Sequence, residues 1–139
     1  MAVLSSCSAQ TTHAPSVVYS RWADPATWPE WDSEVREVIF EGPAVLGSTG
    51  RMRPASGPTV SFSVTVADPD RVFTNTSSMP GATLTFEHVV EPAPEGALVT
   101  VTIRIDGPLA PLWRRIIGRG IADAARSSVV GLLTYLDSA

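Results

Sequence analysis

The sequence predicts a single α+β domain in which a long C-terminal helix closes over a curved antiparallel sheet. Three observations carry that expectation. The chain has 139 residues, enough for one domain, 1–139, and too few for two. Period-two alternation of apolar and polar residues recurs at 59–67, 82–91 and 97–106, the signature of strands with one buried and one wet face. Finally, residues 109–137 place apolar and charged residues on opposite sides of a helix.

Taken in order, residues 3–13 read as a first strand rich in Ser and Thr. Ala14-Pro15-Ser16 opens a short helix over 15–23, with proline where its missing N–H costs nothing. Asp24-Pro25 ends it, because the residue before a proline is pushed out of the α region. A second short helix or turn covers 25–31. Strands follow at 35–41, 48–54, 59–67, 71–77, 82–91 and 97–106, punctuated by Asp68-Pro69-Asp70, Pro80-Gly81 and Pro92-Ala93-Pro94-Glu95-Gly96. The short connections make the sheet antiparallel, about seven strands in all. The final helix, about 40 Å long if continuous, carries Trp113, Ile117, Ile121, Ala124, Ser128, Leu132 and Tyr135 on one face. Arg115, Arg119, Asp123 and Arg126 lie opposite. A sheet wet on one side and covered by a helix on the other is an α+β design.

Composition narrows the function. A net charge of −4 without a basic run argues against a nucleic-acid partner. All ten basic residues are arginine, a bias that fits GC-rich bacterial coding. The single cysteine, Cys7, rules out an intrachain disulfide and points to a reducing cytoplasm. The start, Met1 to Cys7, lacks a positive n-region and a long apolar run, so it reads as neither signal nor lipoprotein leader. No stretch approaches the roughly 20 apolar residues of a membrane span. His13 and His88 have no metal-ligand spacing with the scattered carboxylates. Neither a glycine-rich phosphate loop nor a Gly-x-Ser-x-Gly elbow is present. The expectation is therefore a protein without metal or cofactor. The sequence leaves the oligomeric state open, a homodimer included.

Several segments together resemble a known family. Ala14-Pro15 precedes a short helix, then comes Ala23-Asp24-Pro25-Ala26-Thr27-Trp28-Pro29-Glu30-Trp31-Asp32, then Glu41-Gly42-Pro43 and Gly47-Ser48-Thr49-Gly50, and late in the chain Gly107-Pro108-Leu109 leads into the last helix. This pattern resembles the START-like (SRPBCC) superfamily of polyketide cyclase/dehydrase type. The resemblance implies a helix-grip fold with a cavity between the concave sheet face and the long helix. It implies a small hydrophobic ligand, with secondary metabolism as the setting, but not one activity, since one fold hosts many functions. The best-known aromatases of this family carry a Tyr soon after Trp-Pro-Glu and an Arg on a central strand. Here Val35 stands at the first position and 59–67 holds no Arg, which weakens an aromatase assignment.

Candidate pocket residues follow from the alternation and the helix face: Phe62, Val64, Phe86, Val101 and Ile103 from strands, with Trp113, Ile117 and Ile121 from the helix. Trp31 joins them as a possible aromatic wall, whereas Trp28 reads as a structural plug. Met52 joins if its side chain points inward, which puts Arg51 and Arg53 in water. The reverse register would bury a cation suited to a carboxylate or enolate oxygen. Thr74 and Asn75 carry the same ambiguity. Gly118 and Gly120 either make room for a ligand or permit close packing. His88, in phase with Leu84, Phe86 and Val90, is the candidate catalytic acid or base. It can equally be a buried histidine satisfied by a hydroxyl or carbonyl. The reading is a cyclase or dehydratase acting on a small hydrophobic, polyketide-derived molecule, or a non-catalytic carrier of an apolar metabolite.

Overall fold

A computed structural model describes residues 2–138. The order is β1 (Ala2–Thr11), α1 (Pro15–Trp22), a 3-10 turn (Pro25–Thr27), α2 (Trp28–Trp31), β2 (Val35–Ile39), β3 (Thr49–Pro54), β4 (Val60–Asp68), β5 (Val72–Met79), β6 (Ala82–Ala93), β7 (Gly96–Asp106), α3 (Ala110–Ile121) and α4 (Ala124–Asp137). The seven strands form one antiparallel sheet in the order β1-β7-β6-β5-β4-β3-β2. This is the helix-grip arrangement of an α+β fold.

The alternation does in space what it promised. Every second residue of β7, from Ala97 to Ile105, is buried. On the outer face Arg104 grips Glu87 through two hydrogen bonds, 3.1 and 3.3 Å, and Ser8 meets Thr100 at 2.9 Å. Register then lines the inner face up in rows that cross five strands. One row is Ser5, Ile103, Phe86, Asn75, Val64, and the next is Cys7, Val101, His88, Phe73, Ala67.

The C-terminal helix is not continuous. It breaks at Ala122–Asp123 into α3 and α4, and the cause lies at the other end of the chain. The Ser5 hydroxyl donates to the Ala122 carbonyl (2.8 Å) and accepts the Ala125 N–H (3.1 Å). A strand residue thus satisfies two backbone groups that an unbroken helix would pair internally, and it caps the first turn of α4. The buried face rotates at the bend: α4 buries Ala125, Ser128, Val129, Leu132 and Leu136. Gly131 lies where the backbone of Trp31 passes, and a Cβ there would overlap the Trp31 carbonyl oxygen. Close packing against the end of α2 occurs at Gly131, whereas a Cβ on Gly118 or Gly120 would meet nothing within 4 Å.

Candidate functional site

The inner face of the sheet has three covers. α1 and α2 lie over the Phe73/His88 end, α4 lies over β1 and β7, and α3 crosses the Met79/Ala82 end. Trp22 projects from α1 onto His88, ring centroids 5.2 Å apart. Trp28 packs on Phe62 (5.3 Å) and edge-on to Phe73 (6.2 Å), while its indole N–H donates to the Trp22 carbonyl at 3.1 Å. Trp28 thus packs as the structural plug that the family resemblance implied. Trp31 is also buried. Its indole N–H reaches the Thr27 hydroxyl at 3.4 Å, and its carbonyl lies against Gly131 of α4, which sets it at the junction of α2 and α4.

His88 points inward, and its Nδ1 lies 2.9 Å from the Phe73 carbonyl oxygen. A carbonyl can only accept, so Nδ1 carries the proton and Nε2 is the unprotonated nitrogen of the neutral ring. Burial pushes the imidazole pKa down to about 4, against the weaker opposite pull of the Phe73 carbonyl. The ring is neutral at pH 7.

Asn75 supplies what alternation left open. Phe73, Asn75, Ser77 and Met79 share the inner face of β5, and Asn75 pairs across to Phe86 and Val64. Its neighbours in the row are apolar, and its buried Oδ1 has no hydrogen-bond partner. Thr74 faces the other way, beside Glu87. The Trp22 Nε1 is likewise buried and unpartnered. Such groups are costly to leave unmet; a third, the Thr74 Oγ1, lies on the other face of β5. On the inner face the Trp22 ring packs on His88, and Asn75 sits diagonally across the β5–β6 pair from it. The signal was present in the sequence: Phe73 and Met79, the large apolar residues of one parity in β5, set the phase that turns Asn75 inward.

The remaining sequence candidates fall into two groups. Phe62, Val64, Val101 and Ile103 are fully buried. Phe86, Trp113, Ile117 and Ile121 are only partly buried although each packs against the core, and Met52 is partly buried without joining it. Met52 pairs inward with Val60, leaving Arg51 and Arg53 exposed. Between Ala82 and Val90, Phe86 alone among the inward residues of β6 is not buried. The grip is thus loosest between Phe86 and the inner side of α3, with Asn75 in its floor. Trp113 closes one end, its indole N–H tied to the Pro80 carbonyl at 2.8 Å. Two clefts lie at the rim and share none of these residues. One lies beside Val3 and Gly118, about 470 Å³, and one lies beside Gln10 and Leu133, about 530 Å³.

Among the described residues no three His, Cys, Asp or Glu side chains gather as a metal site. No helix among them is long and apolar enough to cross a membrane.

Comparisons with known proteins place this geometry. Residues 8–136 match the family described as polyketide cyclase/dehydrase and lipid transport. No curated protein sequence matches. Among solved structures, the chain is similar to protein MLL2253 of Mesorhizobium loti, with TM-score 0.73, 14% identity and 96% of each chain covered. It is similar to the di-domain ARO/CYC StfQ of the steffimycin biosynthetic pathway, with TM-score 0.74 and 13% identity, over 96% of this chain and 50% of that one. It also resembles DynU16, a protein of the dynemicin biosynthetic locus, with TM-score 0.69 and 16% identity, over 95% of this chain and 46% of that one. At these identities the structural likenesses speak for the fold.

Proposed function

The chain belongs to the polyketide cyclase/dehydrase and lipid transport family. From that premise we propose that it binds a small hydrophobic, polyketide-derived molecule in the α3 side of the grip and promotes its cyclisation or dehydration. The observation that carries the reading is the neutral imidazole of His88 flanked by two buried, unpartnered groups, Trp22 Nε1–H and Asn75 Oδ1. An apolar interior with a few convergent polar groups is how a small-molecule site is built.

Each group has a role its chemistry allows. The unprotonated Nε2 takes a proton from a carbon next to a substrate carbonyl. The Trp22 N–H donates to that carbonyl oxygen as charge develops on it. The Asn75 oxygen accepts from a substrate hydroxyl. In dehydration the imidazolium returns its proton to the departing hydroxyl, so water leaves and a C=C bond forms. In cyclisation the carbanion attacks a second carbonyl, and the same proton neutralises the new alkoxide. A pKa near 4 makes the neutral imidazole a weak base and its imidazolium a strong acid, so the chemistry assigned to it suits a substrate carbon whose proton is already acidic, and the proton is given back readily. The half-buried Phe86, Ile117 and Ile121 would fold the chain of the substrate into a reactive conformer.

The second reading, a non-catalytic carrier, is favoured by the close cover of Trp22 over His88 and by the lipid-transport members of the family. Native mass spectrometry of the purified protein identifies a co-purifying ligand, and its turnover is then followed with wild type and His88→Ala. A loss of about 10²-fold or more is expected. Unchanged turnover by a folded variant ends the acid–base role, and binding without any turnover by wild type selects the carrier.

A further inference from the structure

Outside the grip, α3 and the free edge of β1 enclose the 470 Å³ cleft, lined by Val3, Leu4, Pro111, Arg114, Arg115 and Gly118. β1 is an outer strand, paired to β7 on one side only. Arg114-Arg115 is the sole adjacent basic pair in a chain of net charge −4, and α3 holds a third arginine, Arg119, with no acidic residue from Ala110 to Ile121. No acidic side chain lines the cleft. Neither guanidinium joins an ion pair among the described residues, where the pairs are His13–Asp137, Arg71–Asp68 and Arg104–Glu87.

The other side chains of the lining are apolar, Val3 and Pro111 exposed and Leu4 partly buried against the core. Val3 is 54% exposed, and on the adjoining flank of α3 Leu112 and Ile116 are 52% and 62% exposed. Gly118 keeps the space open, since a Cβ there would meet nothing within 4 Å. Two guanidiniums without counterions ask for an anionic head, and planar carboxylate matches their fork. An apolar wall beside them asks for a hydrocarbon chain. A volume of this size suits one small amphiphile.

We propose that this cleft is a binding site for a single-chain amphiphilic carboxylate, its head held by Arg114 and Arg115 and its first methylenes lying on Val3, Leu4 and Pro111. The site is separate from the grip and does not depend on the chemistry assigned to His88. A free single-chain carboxylate and an anionic lipid in a bilayer both present an anionic head on hydrocarbon, so both are tested.

Isothermal titration of the whole protein with monomeric decanoate and with decanol reads the head. Decanoate is expected to bind at least tenfold more tightly. R114Q/R115Q and G118L are each expected to weaken decanoate at least tenfold, and N75A to leave it unchanged. G118L is informative because leucine is a better helix former than glycine: its melting temperature should hold or rise while binding falls, which damage to the fold cannot produce. Equal binding of decanol, an unaffected R114Q/R115Q, loss on N75A, or no decanoate binding at all would each overturn the proposal. So would flotation with phosphatidylglycerol vesicles in the absence of decanoate binding, which would assign the face to a membrane surface instead.

Discussion

α3 and α4 are consecutive parts of one C-terminal segment, yet they meet the sheet on different terms. α4 buries Ala125, Val129 and Leu132 to 0% exposure and lets the Trp31 backbone rest directly on Gly131. α3 buries only Ala110, holds Trp113, Ile117 and Ile121 half out, and shows Leu112 and Ile116 to water. Interiors are close-packed where stability is made, and segments that must admit a ligand come from the less stable end of a protein. Here the change from close to looser packing falls at the bend, where Ser5 meets the Ala122 carbonyl and the Ala125 N–H.

The sharpest way to break this contrast is to truncate equivalent residues on either side of the bend. Leu132→Ala should cost about 2–5 kcal/mol, and Ile117→Ala about 1 kcal/mol, because part of its surface is already in contact with water. Urea unfolding measures both, and equal losses would show that the two halves are packed alike. The glycines give an opposed pair. Gly131→Ala drives a methyl into the Trp31 carbonyl and should cost about 1–3 kcal/mol, whereas Gly118→Ala gains up to about 1 kcal/mol of helix propensity. Thermal melts of the two variants should therefore move in opposite directions.

The pH dependence separates the halves further. Asp32, beside Gly131, has its carboxyl pushed up to about 6, chiefly by burial and also by Glu34. The folded state holds that proton more tightly than the unfolded state, so its contribution is present below pH 3.8 and is lost as pH rises through 6. His88 runs the other way. Its folded value near 4 lies below the unfolded 6.5, so stability is lost as pH falls from 6.5 through 4. Asp32→Asn keeps an acceptor for the Glu34 N–H and removes the charge. The variant should gain on the order of 1–2 kcal/mol at pH 7 and nothing below pH 4, and its own stability should fall more steeply than wild type between pH 6.5 and 4. A parallel pair of pH–stability curves would contradict this. The smallest effect is expected at the bend, where Ser5→Ala removes two hydrogen bonds for about 1 kcal/mol, read as a lower denaturation midpoint.

How much of this could be read beforehand depended on where the cause lay. The buried faces of β4, β6 and β7 are local facts, written in alternate residues of each strand, and they were legible. So was the inward direction of His88. The helix bend was not, because its cause is a serine hydroxyl 117 residues earlier in the chain, and periodicity over 109–137 has no access to it. The cover of Trp22 over His88 is tertiary in the same way. Asn75 lay between the two. The irregularity opposite it, between Val64 and Val66, hides the register when β4 is read as the guide, but Phe73 and Met79 within β5 were enough to set it.

The contact between Ser5 and α4 also has a consequence in time. β1 can pair only with β7, the last strand, and the hydroxyl that ends α3 belongs to β1. On a ribosome the first strand therefore emerges with no partner and waits for almost the whole chain before the sheet edge and the helix bend can form. Such long loops closed late make folding slow and leave the inner sheet face uncovered meanwhile. The pairing of β1 with β7 and the Ser5 contact at the bend are thus long-range closures that can come only late in assembly.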